Sequence, residues 1–377
     1  MKILTIAATP FFSNRGGHMR IYNEAKYLKK LGADVRLSTY HIGEDVPGFE
    51  VVRIRGPKKY KKNSPGFSWG KIWLDWKLLF LVRREIRKFR PDAIHAHLYE
   101  GLAVGYLAKR LSFSKVPIVF DLQGNIDEEF RSYSRKNSFA RKIFVWLSKI
   151  VIKWADKIVI SSENVICRRP TSTIIIKDGI DLDLFENLQD LSEEERDKIE
   201  EIKNWSGDKK ILAYIGGLSD NKGVGELLEA LPKVEPSERN SWKLLLGGYG
   251  SDEVKYKEFI EENNLEERVY FSGPISYFSL PHYLALADAG IDPKKGSAES
   301  SGKIANLMAA GLPIICFENE FNRSRIGEKG IYLKDMSELG EKLDNIQDTG
   351  KIKYNIDDLS EEKEVRKLLE IFQSLTK

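Results

Sequence analysis

Short apolar runs rich in Val and Ile alternate, along almost the whole chain, with longer stretches whose apolar positions recur every three or four residues. The first kind predicts strands and the second amphipathic helices. In order, the pattern predicts a strand at KILTIAA, a helix near residues 18–31, strands at DVRLSTY and FEVVRIR, a long helix over 69–89, a strand at DAIHAH, a helix near 101–111 and a strand at PIVFDL. Strands joined through helices pair in parallel, and a parallel sheet is covered on both faces. The pattern restarts at KKILAYIGG near residue 209 and continues through WKLLLGG, RVYFSGP, AGIDP, LPIICFE and GIYLK. Two Rossmann-like α/β domains are therefore expected, over residues 1–182 and 183–357. An acidic, strand-poor segment from Asp183 to Asp208 separates them, with LSEEERDKIEEIKNW as its helix. A last helix is expected over 358–377, packing back towards the first domain. Asp358 and Glu361 there have the spacing of a capping box.

With 42% hydrophobic and 31% charged residues, the 377-residue chain has the composition of a soluble globular protein, which excludes disorder, collagen and small disulfide scaffolds. Cys167 and Cys316 lie far apart and have no neighbours at metal-ligand spacing, so a reducing, cytoplasmic compartment is expected. The opening MKILTIAATP is too short for a secretory signal. LLFLV and IFVWLSKIVI, the longest apolar runs, fall short of the roughly 20 residues that a spanning helix needs.

Charge changes the picture more. The net +4 conceals a division: residues 1–180 carry 34 Lys and Arg against 16 Asp and Glu, and residues 181–377 carry 26 against 40. The first half is thus expected to meet something anionic. Two of its helices are candidates for a membrane interface at the inner face of the cell membrane. One spans 69–89, carries Trp69, Trp73 and Trp76, and follows the loop with Lys58, Lys59, Lys61 and Lys62; the other, over 139–154, has Lys142, Lys149 and Lys153 on one face. Crossover helices of a Rossmann domain would be equally apolar, so both readings stand. No nucleic-acid module is present, and nucleic acid is not an expected partner.

Three loops at predicted strand ends suit a phosphate. Gly16-Gly17 precedes the first helix, Gly216-Gly217 ends a strand with Lys222 ahead of the next helix, and Ser300, Ser301 and Gly302 open a helix. Glycines there let N–H groups approach an anion at the positive end of a helix, and in open α/β sheets ligands bind at strand ends. The dinucleotide fingerprint GxGxxG is missing from the first loop, which argues against a dehydrogenase. His95 and His97 alternate along a strand end and share a face. With no third ligand near them in sequence, no metal is expected. Asp181-Leu182-Asp183 reads as turn and hinge chemistry rather than a metal-binding pair.

In order and spacing, these segments resemble the retaining glycosyltransferases of family 4, which have the GT-B fold. The resemblance rests on NRGGHMRIYNEAKYLKKLGADV, PDAIHAHLYEG, PIVFDLQGN, WADKIVISSE and IIIKDGIDLDLF in the first domain. In the second it rests on YIGGLSDNKGVGELLEALPKV, LLLGGYGSDE, VYFSGPIS, LADAGIDP and MAAGLPIICFE. It implies two doubly wound domains facing across a cleft, and metal-independent transfer of a hexose from a nucleotide diphosphate sugar, most readily a UDP- or GDP-sugar, with no further cofactor. The acceptor it implies is a saccharide or a lipid-linked glycan.

Carried over by the resemblance, Gly216, Gly217, Lys222, Ser300, Ser301, Gly302, Lys303 and Asn306 would surround the donor nucleotide and diphosphate, with Gly16 and Gly17 closing over it. His97, Asp121, Gln123 and Glu299 would lie near the reacting sugar. The sequence departs from the family at this site. Gly217 stands where arginine is usual, Ala298 and Asn306 stand where two glutamates are usual with Glu299 one place out of register, and Gln123 stands for a histidine. Those departures leave two alternatives open: a GT-B binding or regulatory protein that has lost transfer, and a nucleotide-sugar epimerase.

Overall fold

The computed structural model describes residues 1–12, 16–56, 69–123, 138–161, 172–234, 241–295, 302–346, 350–356 and 359–376, with backbone only at Gly16, Trp69 and 138–144. The chain divides into two compact units: Met1–Gly179 with Glu361–Lys377, and Ile180–Ser360.

The first unit is built on a parallel sheet of β1 (Lys2–Ala7), β2 (Asp34–Thr39), β3 (Glu50–Arg53), β4 (Ala93–His97), β5 (Ile118–Leu122), β6 (Lys157–Ile160) and β7 (Thr173–Ile175), in the order β3-β2-β1-β4-β5-β6-β7. β4 and β5 are buried at every position, which is why they read as unbroken apolar runs rather than as alternation. Ala7 pairs with His97, and His97 with Asp121, so the carboxyl ends of three adjacent strands lie level. The strand order reverses between β1 and β4, and ligands of open α/β sheets bind at such a point.

The helix Gly16–Lys30 follows β1 and is buried nearly all round. Its outer face is covered by the last helix, Glu361–Thr376, which inserts Val365, Leu368, Ile371 and Phe372 among Ile3, Ala25, Leu28, Ala93 and Val119. Each such side chain contributes about 1.5–3 kcal/mol. Lys30 pairs with Glu362 at 2.9 Å, and the Glu361 carboxylate accepts from the Gly179 N–H at 2.7 Å. Asp358, the expected cap, lies outside the described residues.

The second unit holds a parallel sheet of β8 (Lys210–Ile215), β9 (Trp242–Gly247), β10 (Val269–Gly273), β11 (Ala289–Asp292), β12 (Ile314–Phe317) and β13 (Gly330–Leu333), in the order β10-β9-β8-β11-β12-β13. Here the order reverses between β8 and β11. The helix Glu193–Ser206 begins with a capping box: Ser192 Oγ accepts from the Glu195 N–H, and the Glu195 carboxylate accepts from the Ser192 N–H at 3.0 Å. Gly223 (φ 80°) can only be glycine, since a Cβ would lie 2.0 Å from the Pro293 carbonyl oxygen. Two parallel-sheet α/β units of this order have the GT-B architecture.

Candidate functional site

At the strand ends of the first unit, the chain buries a dense polar cluster. Arg20, one turn into the helix that Gly16 and Gly17 open, reaches Asp121 on β5: Nε donates to Oδ2 at 3.0 Å and Nη2 to Oδ1 at 3.0 Å. The same guanidinium meets Asp178 at 2.6 Å, the Ile176 carbonyl at 3.2 Å, and Glu24 one turn along its own helix at 2.9 Å. Burial works against its charge, but Asp121, Glu24 and Asp178 outweigh burial and hold Arg20 protonated. Asp121 is fully buried too; burial opposes its ionisation, and Arg20 and His97 overcome it, so it stays ionised well below the usual carboxylate range. Glu24 has the opposite balance. Burial raises its carboxyl well above the usual range, and Arg20 offsets only part of that.

His97 Nδ1 lies 3.0 Å from Asp121 Oδ2. An ionised carboxylate only accepts, so the network assigns the imidazole proton to Nδ1. Gln123, half-buried, donates to the same Oδ2 at 3.0 Å, and a Cβ on Gly17 would sit 2.7 Å from its Oε1. Of the sequence-predicted group His97, Asp121 and Gln123, the first two are wholly enclosed and only Gln123 retains exposed surface. Asp121, committed to Arg20, His97 and Gln123, is thereby a positioning group. Nearby, the Thr9 hydroxyl and His18 Nε2 lie 2.8 Å apart.

Sequence reasoning missed Arg20 and Glu24. Their i,i+4 spacing is that of an ordinary solvated pair. The only sign against that was the apolar company of Ile21, Tyr22, Ala25 and Leu28 around the helix.

The second unit's strand ends are built differently. Gly216 and Gly217 follow β8, and the Tyr214 hydroxyl donates to the Gly217 carbonyl at 2.7 Å. Lys303, on the first turn of the helix Gly302–Ala310, pairs with Asp292 at the end of β11 (3.1 Å) and lies over the Tyr214 ring. Its stem crosses Gly216 so closely that a Cβ there would come within 2.8 Å of Lys303 Cδ. Gly217, in contrast, has nothing within 4 Å of where its Cβ would be.

Lys303 and Asn306 border a recess floored by Ala213, Ile215, Ile291 and Leu307. Lys222 closes the 3₁₀ turn Asp220–Lys222, which is fastened from outside: the Asp252 carboxylate accepts from the Asp220 N–H at 2.8 Å, and Asp220 takes the Tyr256 hydroxyl at 2.9 Å. Gly216, Gly217, Lys303 and Asn306 are thus brought together, with Gly302 opening the same helix. Glu299, Ser300 and Ser301 lie outside the described residues, as does Ala298.

Asp181, half of the acidic pair, is buried ahead of the short helix Leu182–Glu186, with the Tyr277 hydroxyl 3.4 Å from its Oδ2. Among the described residues no helix is long and apolar enough to cross a membrane.

Two family models match the chain, Glycosyltransferase Family 4 over residues 14–168 and Glycosyl transferases group 1 over residues 195–346. With the fold described above, they show that the chain belongs to the group 1, family 4 glycosyltransferases. An uncharacterized glycosyltransferase of Methanocaldococcus jannaschii is 23% identical over 83% of this chain and 81% of its own length. Arabidopsis thaliana sulfoquinovosyl transferase is 25% identical over 83% of this chain and 58% of the plant protein. Among solved structures, sucrose-phosphate synthase of Thermosynechococcus elongatus superposes with a TM-score of 0.72 at 19% identity, covering 99% of this chain and 98% of that one. An Anabaena protein crystallised with UDP and glucose does so with a TM-score of 0.70 at 18% identity, covering 99% and 100%.

Proposed function

We propose that the chain is a retaining hexosyltransferase which moves a sugar from a nucleotide diphosphate donor, UDP- or GDP-linked, to a saccharide or lipid-linked acceptor, without a metal ion in the chemistry. The observation that carries this reading is the second unit's strand end, where Lys303 is held over Gly216 by Asp292 and Tyr214 beside open space at Gly217. A cation fixed there, with Lys222 and the N–H groups at the start of the helix Gly302–Ala310, suits a diphosphate and stabilises it as it leaves. The Anabaena protein's UDP complex supports the choice of a uridine donor.

Asn306 offers the donor ribose an acceptor and a donor in one side chain. Ser300 and Ser301 are assigned to the donor diphosphate, and Glu299 to the reacting sugar, by family resemblance. In the first unit, the Gly16-Gly17 helix start offers N–H groups to an anion, while Gln123, held by Asp121 and His97, is assigned to the reacting sugar. Asp121, locked in its ion pairs, is not free to act as a nucleophile. Leaving-group stabilisation is then the main catalytic effect.

The test is incubation with a panel of UDP- and GDP-sugars and glycan acceptors. Release of nucleoside diphosphate is expected, with affinity for the diphosphate lowered about 10- to 150-fold in Lys222→Ala. Binding without release by any donor would overturn transfer in favour of a binding protein, a reading that Gly217 and Asn306 favour. An isomerised sugar would indicate an epimerase.

We also propose that the acceptor is presented at an anionic membrane surface. On the helix Trp69–Phe89, Ile72, Trp73, Trp76 and Phe80 are exposed along one stripe, with Trp76 at 59% and Phe80 at 55%, and Arg83, Arg84 and Arg87 continue it. Basic residues near such a surface contribute about 1 kcal/mol each, and aromatic side chains enter the headgroup layer. The Lys58–Lys62 loop lies outside the described residues. Sedimentation with anionic vesicles at low salt, reversed at 1 M salt, is expected for the wild type and weakened in Trp76→Ser/Phe80→Ser. Protein left in the supernatant at low salt would sink the idea.

A further inference from the structure

The first unit's buried cluster contains an electrostatic mismatch. Glu24 Oε2 faces His95 Nε2 at 3.7 Å and His97 Nε2 at 3.8 Å, and none of these three atoms has a hydrogen-bond partner. All three side chains are at most 1% exposed. Because the His97 proton sits on Nδ1 facing Asp121, its Nε2 presents a lone pair to the carboxylate oxygen. Burial favours a proton on Glu24, yet at these distances that proton makes no hydrogen bond, and unsatisfied polar atoms buried face to face are costly.

We infer that Glu24, His95 and His97 form a buried site for a divalent transition cation. Three observations converge on it. The ligand atoms lie within 4.8 Å of one another. Their 3.7 and 3.8 Å separations are a few tenths of an ångström from the roughly 3.4 Å between neighbouring ligands of a tetrahedral zinc with bonds of about 2.0–2.1 Å.

The groups that would orient the ligands are already in place. Asp121 holds His97 through Nδ1, the carboxylate–histidine arrangement that orients a metal-bound imidazole, and Asp121 is itself fixed by Arg20. Charge completes the case. A cation would displace the proton that burial favours on Glu24, and Glu24, Asp121 and the half-exposed Asp178 then outnumber the single guanidinium of Arg20, so a dication reduces a net negative charge.

Two imidazoles and one carboxylate select zinc, iron or a similar ion over magnesium or calcium. No sequence pattern points to this site, since the third ligand comes from a helix some 70 positions away from the histidines (residue 24 against 95 and 97). Fully enclosed, the ion would not touch substrate. It would clamp the helix Gly16–Lys30, and with it the glycine loop, to the end of β4.

The test is metal content. The full chain, without a histidine tag, is produced in medium supplemented with Zn²⁺ and passed through gel filtration in a chelator that strips surface metal. About one zinc per chain is expected to remain, with a zinc-edge X-ray absorption spectrum showing two imidazoles and oxygen at about 2.0–2.1 Å. In Glu24→Gln and in His95→Gln the retained metal is expected to fall at least about tenfold. Should either variant fail to fold, the wild-type content and spectrum decide alone. Folded wild type with less than about one-tenth of an equivalent, a shell without two imidazoles, or full retention in the folded variants overturns the site. A proton on Glu24 or a buried water is then the occupant. Nucleotide binding by the second unit is a separate readout, so failure here and failure of the proposed transfer are distinguishable.

Discussion

The two units present the same topology at their strand-order reversals and fill it with opposite chemistry. Between β1 and β4, the first unit packs Arg20, Glu24, His95, His97 and Asp121 into a wholly enclosed network in which each charge depends on another. Between β8 and β11, the described residues of the second unit have one buried carboxylate, Asp292, answered by a lysine that remains 18% exposed, beside two glycines and open space. One fold thus supports a rigid polar core in one copy and an adjustable surface in the other. Interlocked buried charges are intolerant of change, whereas a half-exposed pair can exchange a partner for water or for a ligand.

The largest expected effect follows directly. Arg20→Met keeps much of the stem but leaves Asp121, Glu24 and Asp178 without their cation, and breaking a buried ion pair from one side costs about 3–5 kcal/mol. Lys303→Met removes the corresponding cation of the second unit, where water can replace it, at a cost of about 1–2 kcal/mol. Hydrogen exchange read peptide by peptide separates the units. Protection is expected to collapse through β1, β4 and β5 in Arg20→Met and to change only near β8 and β11 in Lys303→Met. Equal losses in the two variants would remove the contrast.

How much of this was legible in the sequence also differs between the regions. Buried parallel strands announce themselves as apolar runs, so the strand series, both domains and the loops at Gly16, Gly216 and Gly302 could be read directly. The Arg20–Glu24 pair could not. On a helix after a β-strand, such a pair normally faces water, and here the helix is packed by Leu368 and Phe372 from a helix more than three hundred residues downstream, with Phe372 against the His95 ring. Lys303 was singled out but Asp292 was not, because their pairing depends on how the helix Gly302–Ala310 starts against the end of β11, which no local pattern encodes. The Gly217 departure, in contrast, was plain in sequence, and the structure adds that a Cβ there would meet nothing within 4 Å.

A smaller effect sharpens the comparison by pH. Asp75, on the helix Trp69–Phe89, hydrogen-bonds the Tyr40 hydroxyl, and burial pushes its carboxyl up to about 6. An unfolded aspartate titrates near about 3.9, so the folded state holds the proton more tightly, and stability is lost as pH rises from about 4 to about 6. Two pKa units correspond to roughly 2–3 kcal/mol. Asp75→Asn is therefore expected to be more stable than wild type by about 2 kcal/mol at pH 7–8 and no more stable at pH 4. Urea midpoints across that range check it. A pH-independent gain would mean that the substitution acts by other means, and the first unit would then not carry this part of the pH dependence.

The smallest effect probes the adjustable side. Gly217 has an unstrained backbone and nothing within 4 Å of where a Cβ would go, so the backbone there accepts a side chain such as the family's arginine. Lys303 already brings a cation over the adjoining Gly216, and one diphosphate gains less from a second positive charge than from the first. In the wild-type background the arginine is thus expected to tighten nucleoside diphosphate binding by only a few-fold. In Lys303→Ala, where Asp292 is left to pair with the newcomer or with solvent, the gain should be larger, about tenfold or 1.4 kcal/mol. Neighbouring groups that serve one ligand give non-additive effects, and the double-mutant cycle measured by calorimetry reads that coupling. If the two changes simply add, Lys303 is not standing in for the missing arginine. If the arginine weakens binding in both backgrounds, the strand end has been rebuilt for a different ligand, and the openness at Gly217 is room for that ligand rather than a vacated side-chain position.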